Sequence, residues 1–280
     1  MLEMANFHLR IVDNQLGTVY ERSREMILTI EHGPVREIRL NRPPVNALSP
    51  EFIAALAQAV ETAPQQGARA LVLSGSPGIF SAGLDVPCLL KLDKPSMNAV
   101  WRSFYGLMRA LACSRIPVVA AITGHAPAGG TVLAIFCDYR VAAEGDARLG
   151  LSEVQVGLPL PPLIFSTLRR LVGPRQAERL GVTGALISPE EAATVGLVDE
   201  VVASDRVVDQ ALRWCESLLA LPPNAVQLTR KQARADLVEA FTQQKIDEEL
   251  SQVTSWWWVE ETQAALHEMV QRLAMKSRKN

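Results

Sequence analysis

Cysteine is scarce in this chain. Four residues, Cys88, Cys113, Cys137 and Cys215, stand far apart, with no C-x-x-C pair and no histidine partners at metal-ligand spacing. That excludes a disulfide framework and any metal site readable from spacing, and it predicts reduced thiols in a cytosolic-type compartment. Neither sign of charge dominates, since 28 Lys and Arg against 30 Asp and Glu leave a formal net charge of -2. With no global field to attract a polyanion, nucleic acid is not an expected partner. Long apolar runs are missing too: no stretch approaches the roughly 18 uninterrupted apolar residues of a membrane helix. Met1 to Tyr20 carry Glu3 and Asp13 and lack the apolar core of a secretory signal. The expectation is a soluble protein of the bacterial cytoplasmic type, with the mitochondrial matrix left open and no membrane partner.

What is present is a hydrophobic content of 48% over 280 residues, enough for a sizeable core. Met26 to Ile30 and Val35 to Leu40 read as a hairpin around Gly33-Pro34. Ser49 is placed to cap a helix starting at Pro50, with Phe52, Ile53, Leu56 and Val60 on one face. A strand over 70–73 follows, then a loop over 80–85, a helix carrying Trp101, Phe104, Met108 and Leu111, and a strand over 118–122. Another round brings a glycine loop at 124–130, an apolar helix over 132–136, a strand over 139–142 and a short extended piece ending near Leu149. Ser188-Pro189-Glu190-Glu191 is a capping signature for a further helix, stopped at Gly196 and followed by a strand over 198–202. The rest reads as helical. The alternation predicts an α/β fold with an N-terminal extension at 1–25, a core at 26–203 and a C-terminal helical region at 204–280. Periodicity alone leaves a spiral of units and a doubly wound sheet equally open.

Three segments can carry chemistry. Gly124-His125-Ala126-Pro127-Ala128-Gly129-Gly130-Thr131 nearly spells a P-loop, but Gly130 stands where lysine is required. What remains is a strand, a tight turn and a helix start whose first N–H groups lack intrahelical acceptors and can face an oxyanion. Phe80-Ser81-Ala82-Gly83-Leu84-Asp85 is a second loop of the same kind, so two donors can converge. In Gly150-Leu151-Ser152-Glu153, a carboxylate sits in an apolar run, where burial raises its pKa and suits it to proton transfer; a structural carboxylate fits the same pattern. His125 and Asp138 are read as structural, Cys137 as unactivated, and Trp101, Phe104, Tyr105 and the run Trp256-Trp257-Trp258 as packing residues first.

Taken in order with Pro43-Pro44-Val45-Asn46-Ala47-Leu48 and Cys137-Asp138-Tyr139-Arg140, these motifs resemble the enoyl-CoA hydratase/isomerase (crotonase) family over roughly residues 26 to 270. Within it the chain looks most like the delta-3,delta-2-enoyl-CoA isomerases. The resemblance implies a spiral of repeated ββα units, C-terminal helices that serve as lid and oligomerisation region, a homotrimer or hexamer, and an acyl-CoA substrate. No metal and no separate cofactor are implied, coenzyme A being part of the substrate. By position, the N–H groups of Leu84 and Gly129 would hold the thioester oxygen, Ala82, Gly83 and Asp85 would line the CoA segment, and Glu153 would shuttle a proton. The hydratases carry a further glutamate where this chain has Val132, which favours isomerisation over hydration. Thioester hydrolysis, decarboxylation, or acyl-CoA binding without turnover are the alternatives on the same fold.

Overall fold

The computed structural model describes residues 25–277. The expected N-terminal extension, apart from Glu25, and the last three residues lie outside the described residues.

The hairpin forms from β1 (Ile27–His32) and β2 (Val35–Leu40), joined at Gly33, whose φ of 60° closes the turn. Helix α1 (Pro50–Thr62) begins as expected: the Ser49 hydroxyl accepts from Phe52 N–H, and Phe52, Ile53, Leu56 and Val60 are buried. Then the chain repeats one pattern. A long strand is followed by a short one and by helix: β3 (Ala70–Ser74), β4 (Gly78–Ile79), α2 (Val86–Leu89) and α3 (Lys94–Ala112); β5 (Val118–Ile122), β6 (Gly124–Pro127) and α4 (Gly129–Ile135); β7 (Tyr139–Ala143), β8 (Leu149–Gly150), a 3-10 turn at Glu153–Val156 and α5 (Pro162–Thr183). After α6 (Pro189–Thr194), β9 (Glu200–Val202) closes the strand series. The remainder is α7 (Val207–Leu219), α8 (Pro223–Ala233), α9 (Ala235–Glu239), α10 (Gln243–Trp257) and α11 (Glu260–Ser277).

The long strands make one sheet in the order β1-β2-β3-β5-β7-β9, parallel from β2 onward, and the short strands stack beside it as β4-β6-β8. The architecture is a spiral of ββα units, which settles the choice that periodicity left open. Both faces of the large sheet are covered. Leu71 and Leu73 of β3 and Ala120 and Ile122 of β5 point into the main core, while Val72, Val119 and Val141 meet Val207, Ala211 and Cys215 of α7 on the other side. This two-sided burial is why these strands read as unbroken apolar runs.

Three elements differ from expectation. The segment 124–127 is a strand, because its pairing with β4 and β8 satisfies its backbone. A Cβ on Gly124 would lie 1.9 Å from the Gly78 carbonyl carbon, so only glycine permits that approach. Helix α5 was not anticipated: its pattern is broken at Gly173 (φ 76°, ψ 165°) and Pro174, which kink it into two shorter stretches. The last strand starts at Glu200, because Val198 N–H is still held by the Ala192 carbonyl of α6.

The C-terminal helices are fastened to the spiral through Asp138. Its carboxylate accepts from Val118 N–H and from both Arg230 Nε and Nη2 at 2.7 and 2.8 Å, and lies 3.2 Å from Arg234. Arg234, 7% exposed, also donates to the carbonyls of Ala112, Phe136 and Cys137, the open ends of α3 and α4. Removing one member of such a buried ionic cluster strands the others. Arg234→Met is expected to lower the unfolding free energy by about 3–5 kcal/mol, read by urea denaturation; a loss below about 1 kcal/mol would mean that the cluster is not integral.

Candidate active site

The site is built where the short-strand sheet ends and α4 begins. The strand β6 stops at Pro127, and Ala128 then adopts φ 49° and ψ -119°, a left-sided conformation that a residue with a Cβ rarely takes. This break turns the chain so that α4 starts at Gly129 with its leading N–H groups free. Strain of this kind costs about 1–3 kcal/mol and persists where the surroundings impose it. Here the restraint is visible: Ala128 N–H donates to the Gly150 carbonyl at 2.8 Å. Ala128→Gly should therefore leave denaturant stability unchanged or raise it by about 1 kcal/mol, against the usual cost of an Ala→Gly change; a clear loss would refute stored strain at this position.

The second loop lies against that turn. Gly83, at φ 84°, approaches so closely that a Cβ on it would stand 2.9 Å from Gly129 N, and one on Gly129 would stand 2.9 Å from Gly83 Cα and 3.3 Å from Leu84 N. A Cβ on Gly130 would meet the Ser81 carbonyl oxygen at 2.3 Å. The glycines thus admit a backbone-to-backbone contact that brings the N–H groups of Leu84 and Gly129 side by side. Among the described residues neither group has a hydrogen-bond acceptor. Two adjacent free donors are an arrangement that stabilises negative charge on one oxygen.

The Pro43-to-Leu48 segment holds this loop in shape. Leu48 N–H donates to the Gly83 carbonyl at 2.8 Å, Asp85 N–H to the Leu48 carbonyl, and Ala82 N–H to the Val45 carbonyl. Buried Asn46, at φ 50°, donates through Nδ2 to the Phe80 carbonyl, and its own carbonyl accepts from Ser81 Oγ. Asp85 is committed to structure. Its carboxylate caps α2 at Cys88 N–H and pairs with Arg42 Nη2 at 2.6 Å. Sequence reading quoted Asn46 only as part of the Pro43–Leu48 motif and gave neither it nor Arg42 a role, although asparagine near prolines in a loop is a signal for a left-handed turn residue.

Glu153 opens the 3-10 turn after β8. As a residue it is half-buried, yet its Oε2 is sealed from water and has no hydrogen-bond partner. Desolvation lifts its pKa from 4.5 to about 7, with a hydrogen bond to its own backbone N–H opposing the shift. The group is poised between its two protonation states near neutrality. The helix α11 covers the turn: Thr262 Oγ1 donates to the Gly157 carbonyl at 2.7 Å, and a Cβ on Gly157 would stand 3.1 Å from Thr262 Cα. Val132 lies in α4 and is 1% exposed, part of the main apolar core. His125 points outward on β6 and accepts from Arg148 N–H through Nδ1. Cys137 is buried, and its thiol is pushed up to about 12, which rules out a resting thiolate near neutrality. Trp101 and Trp257 pack edge to face at 5.9 Å in the seam between α3 and α10, away from solvent.

Among the described residues no three His, Cys, Asp or Glu side chains are grouped to hold a metal ion, and no helix is long and apolar enough to cross a membrane.

Comparison with known proteins identifies relatives across most of the chain. The family model for "Enoyl-CoA hydratase/isomerase" matches residues 31–276. The mouse protein named "Enoyl-CoA delta isomerase 1, mitochondrial" is 33% identical over 259 residues, which cover 91% of this chain and 89% of the relative. A Mycobacterium tuberculosis protein named "Probable enoyl-CoA hydratase EchA17" is 35% identical over 188 residues, covering 67% and 72% respectively. The crystal structure of human mitochondrial delta3-delta2-enoyl-CoA isomerase superposes with a TM-score of 0.85 at 32% identity, covering 90% of this chain and 99% of that one. With its ββα spiral and a family match across nearly all of the described residues, the chain belongs to the enoyl-CoA hydratase/isomerase family and is an enzyme of the crotonase fold.

Proposed function

We propose that the protein is a delta-3,delta-2-enoyl-CoA isomerase, with Glu153 as the sole proton carrier and the N–H groups of Leu84 and Gly129 as the oxyanion hole. The observation that carries the reading is Glu153 Oε2, buried and unpartnered on a carboxyl whose pKa stands at about 7. A carboxylate held in that state takes a proton from C2 of a 3-enoyl thioester. The electron pair moves onto the thioester oxygen, which the two N–H groups receive. The neutral carboxyl then returns the proton at C4, and the double bond comes to rest between C2 and C3. The proton leaves and re-enters through one group, so the reaction is balanced without water or a redox partner. We therefore read coenzyme A as part of the substrate and propose no further cofactor. Ala82, Gly83 and Asp85 fit the CoA-lining segment through the backbone of the loop, with Asp85 acting by holding Arg42 and α2.

Val132 supports isomerisation over hydration, because activating a water and protonating carbon calls for a second carboxylate that this position does not supply. Hydration remains the second reading, favoured by relatives that carry a hydratase name. The assay that separates them uses 3-hexenoyl-CoA and 2-hexenoyl-CoA with mass detection. Isomerisation gives a 2-enoyl thioester of unchanged mass from the first, whereas hydration adds one water to the second; water addition with no double-bond shift would reject the proposal.

We further propose a core at 26–203 with a C-terminal region at 204–280 that acts as lid and oligomer contact. The contact of α11 with the Glu153 turn supports the lid. Exposed Leu221, Leu228, Val238, Trp258 and Leu273 supply apolar surface for a homotrimer or hexamer.

A further inference from the structure

Thr131 is an unusual residue for its place. It lies in the first turn of α4, two residues after Gly129, and is 2% exposed in an otherwise apolar helix. A threonine inside a helix ordinarily turns its hydroxyl back to the carbonyl three or four residues earlier. This one reaches five residues back, past the Ala128 break, and donates to the Ala126 carbonyl in β6. The same oxygen accepts from Gly150 N–H at 2.8 Å. The hydroxyl therefore sits where β6 and β8 are in register, at Ala126 opposite Leu149 and Pro127 opposite Gly150.

Gly150 is thereby held on both sides. Its N–H goes to Thr131, and its carbonyl accepts from Ala128 N–H. The residues that flank Gly129 at one and two positions' distance are thus the ones that fix the strand end from which Glu153 follows three residues later. Pro127 has no N–H to offer across this pair. The other backbone bonds on β8, from Ala126 N–H to the Arg148 carbonyl and between Leu149 and Ile187 in both directions, act before Gly150, so at Gly150 itself the spacing is set through Thr131 and Ala128. Gly150 has little freedom to compensate: at φ 147° a Cβ would stand 2.2 Å from the Ala185 carbonyl oxygen.

We propose that Thr131 is a positioning residue whose hydroxyl fixes the placement of the Glu153 carboxyl relative to the Gly129 N–H. The proposal rests on the reading of these two groups as base and oxyanion donor. It concerns a residue that touches neither reacting atom and acts through Gly150. A valine of the same shape would leave Gly150 N–H and the Ala126 carbonyl without this partner, letting the strand end shift by a fraction of an ångström. Misplacement on the scale of 1 Å costs about 10²-fold in rate where reacting groups must align.

The test compares wild type, Thr131→Val and Thr131→Ser, with Thr131→Ala as a second hydroxyl-free variant should the valine form not fold. Two rates are read: turnover of 3-hexenoyl-CoA, and exchange of the C2 protons of hexanoyl-CoA with D2O, which needs only the base and the oxyanion donors. The expected result is a loss of about 10- to 100-fold in kcat and in exchange for the valine variant, with KM within about twofold, and recovery to within a few-fold in the serine variant. Undiminished exchange in the valine variant, a loss confined to KM, or no recovery with serine would overturn the proposal while leaving the reading of the site intact. A wild-type protein that neither isomerises nor exchanges would overturn that reading, and this proposal with it.

Discussion

Glu153→Gln is expected to lower kcat for 3-enoyl-CoA isomerisation by about 10²- to 10⁴-fold, the range that a positioned acid or base contributes, with little change in KM. The amide keeps the size of the side chain and removes only its capacity to carry the proton. The wild-type pH profile reports the same group. If Glu153 is the base, as proposed, it must be ionised to take the C2 proton, and kcat/KM should rise through a pKa of about 7 and level off above it. Stability moves the other way. A carboxyl whose folded pKa is raised above 4.5 favours the fold fully below that value, and the contribution is lost as the pH rises through about 7. The shift corresponds to about 3 kcal/mol. Glu153→Gln should therefore flatten the pH dependence of unfolding between these limits and be more stable than wild type in alkali. Full activity in the glutamine variant, or a rate profile with no inflection near neutrality, would remove Glu153 from the reaction.

Gly129→Ala is expected to reduce kcat by about 10²-fold or more, near the loss for one oxyanion donor, about 3 kcal/mol. Gly129 stands at a helix start that alanine can adopt, so local backbone preference is not the cause. The added methyl would meet Gly83 Cα at 2.9 Å, Leu48 Cδ1 at 3.2 Å and Leu84 N at 3.3 Å. It wedges the two loops apart at the pair of N–H groups, and the oxyanion hole proposed for them would be lost. Steady-state kinetics with a thermal melt check this. A variant with the wild-type rate and melting point would show that the loops yield without harm, and the hole would need another location.

The two glycine loops were legible in the sequence because glycine between a strand and a helix is a local signal, and their order with Pro43–Leu48 and the Glu153 segment was more specific than any one of them. The buried strands were legible for a simple reason, their unbroken apolar runs. Helix α5 was not, because Gly173 and Pro174 interrupt the period that would betray it. Nor was the strand 124–127, since glycine and proline in a run argue against a strand unless a neighbour pairs with it. The roles of Arg42, Asn46 and Thr131 were not legible, although Asn46 and Thr131 stand within quoted motifs, because each acts through partners far along the chain or across a turn, and single-residue pattern carries no sign of such partners.

By itself the sequence determined which residue types stand where: glycines where two backbones touch, one carboxylate in an apolar run at Glu153, and valine at position 132. Only the tertiary structure decided that Leu84 and Gly129 present free N–H groups side by side, that Asp85 is spent on Arg42 and a helix cap, and that Glu153 Oε2 is sealed from water without a partner. The physical reason is that hydrogen-bond satisfaction and desolvation are properties of what surrounds a group in space, and in a spiral those surroundings come from turns of chain tens of residues apart.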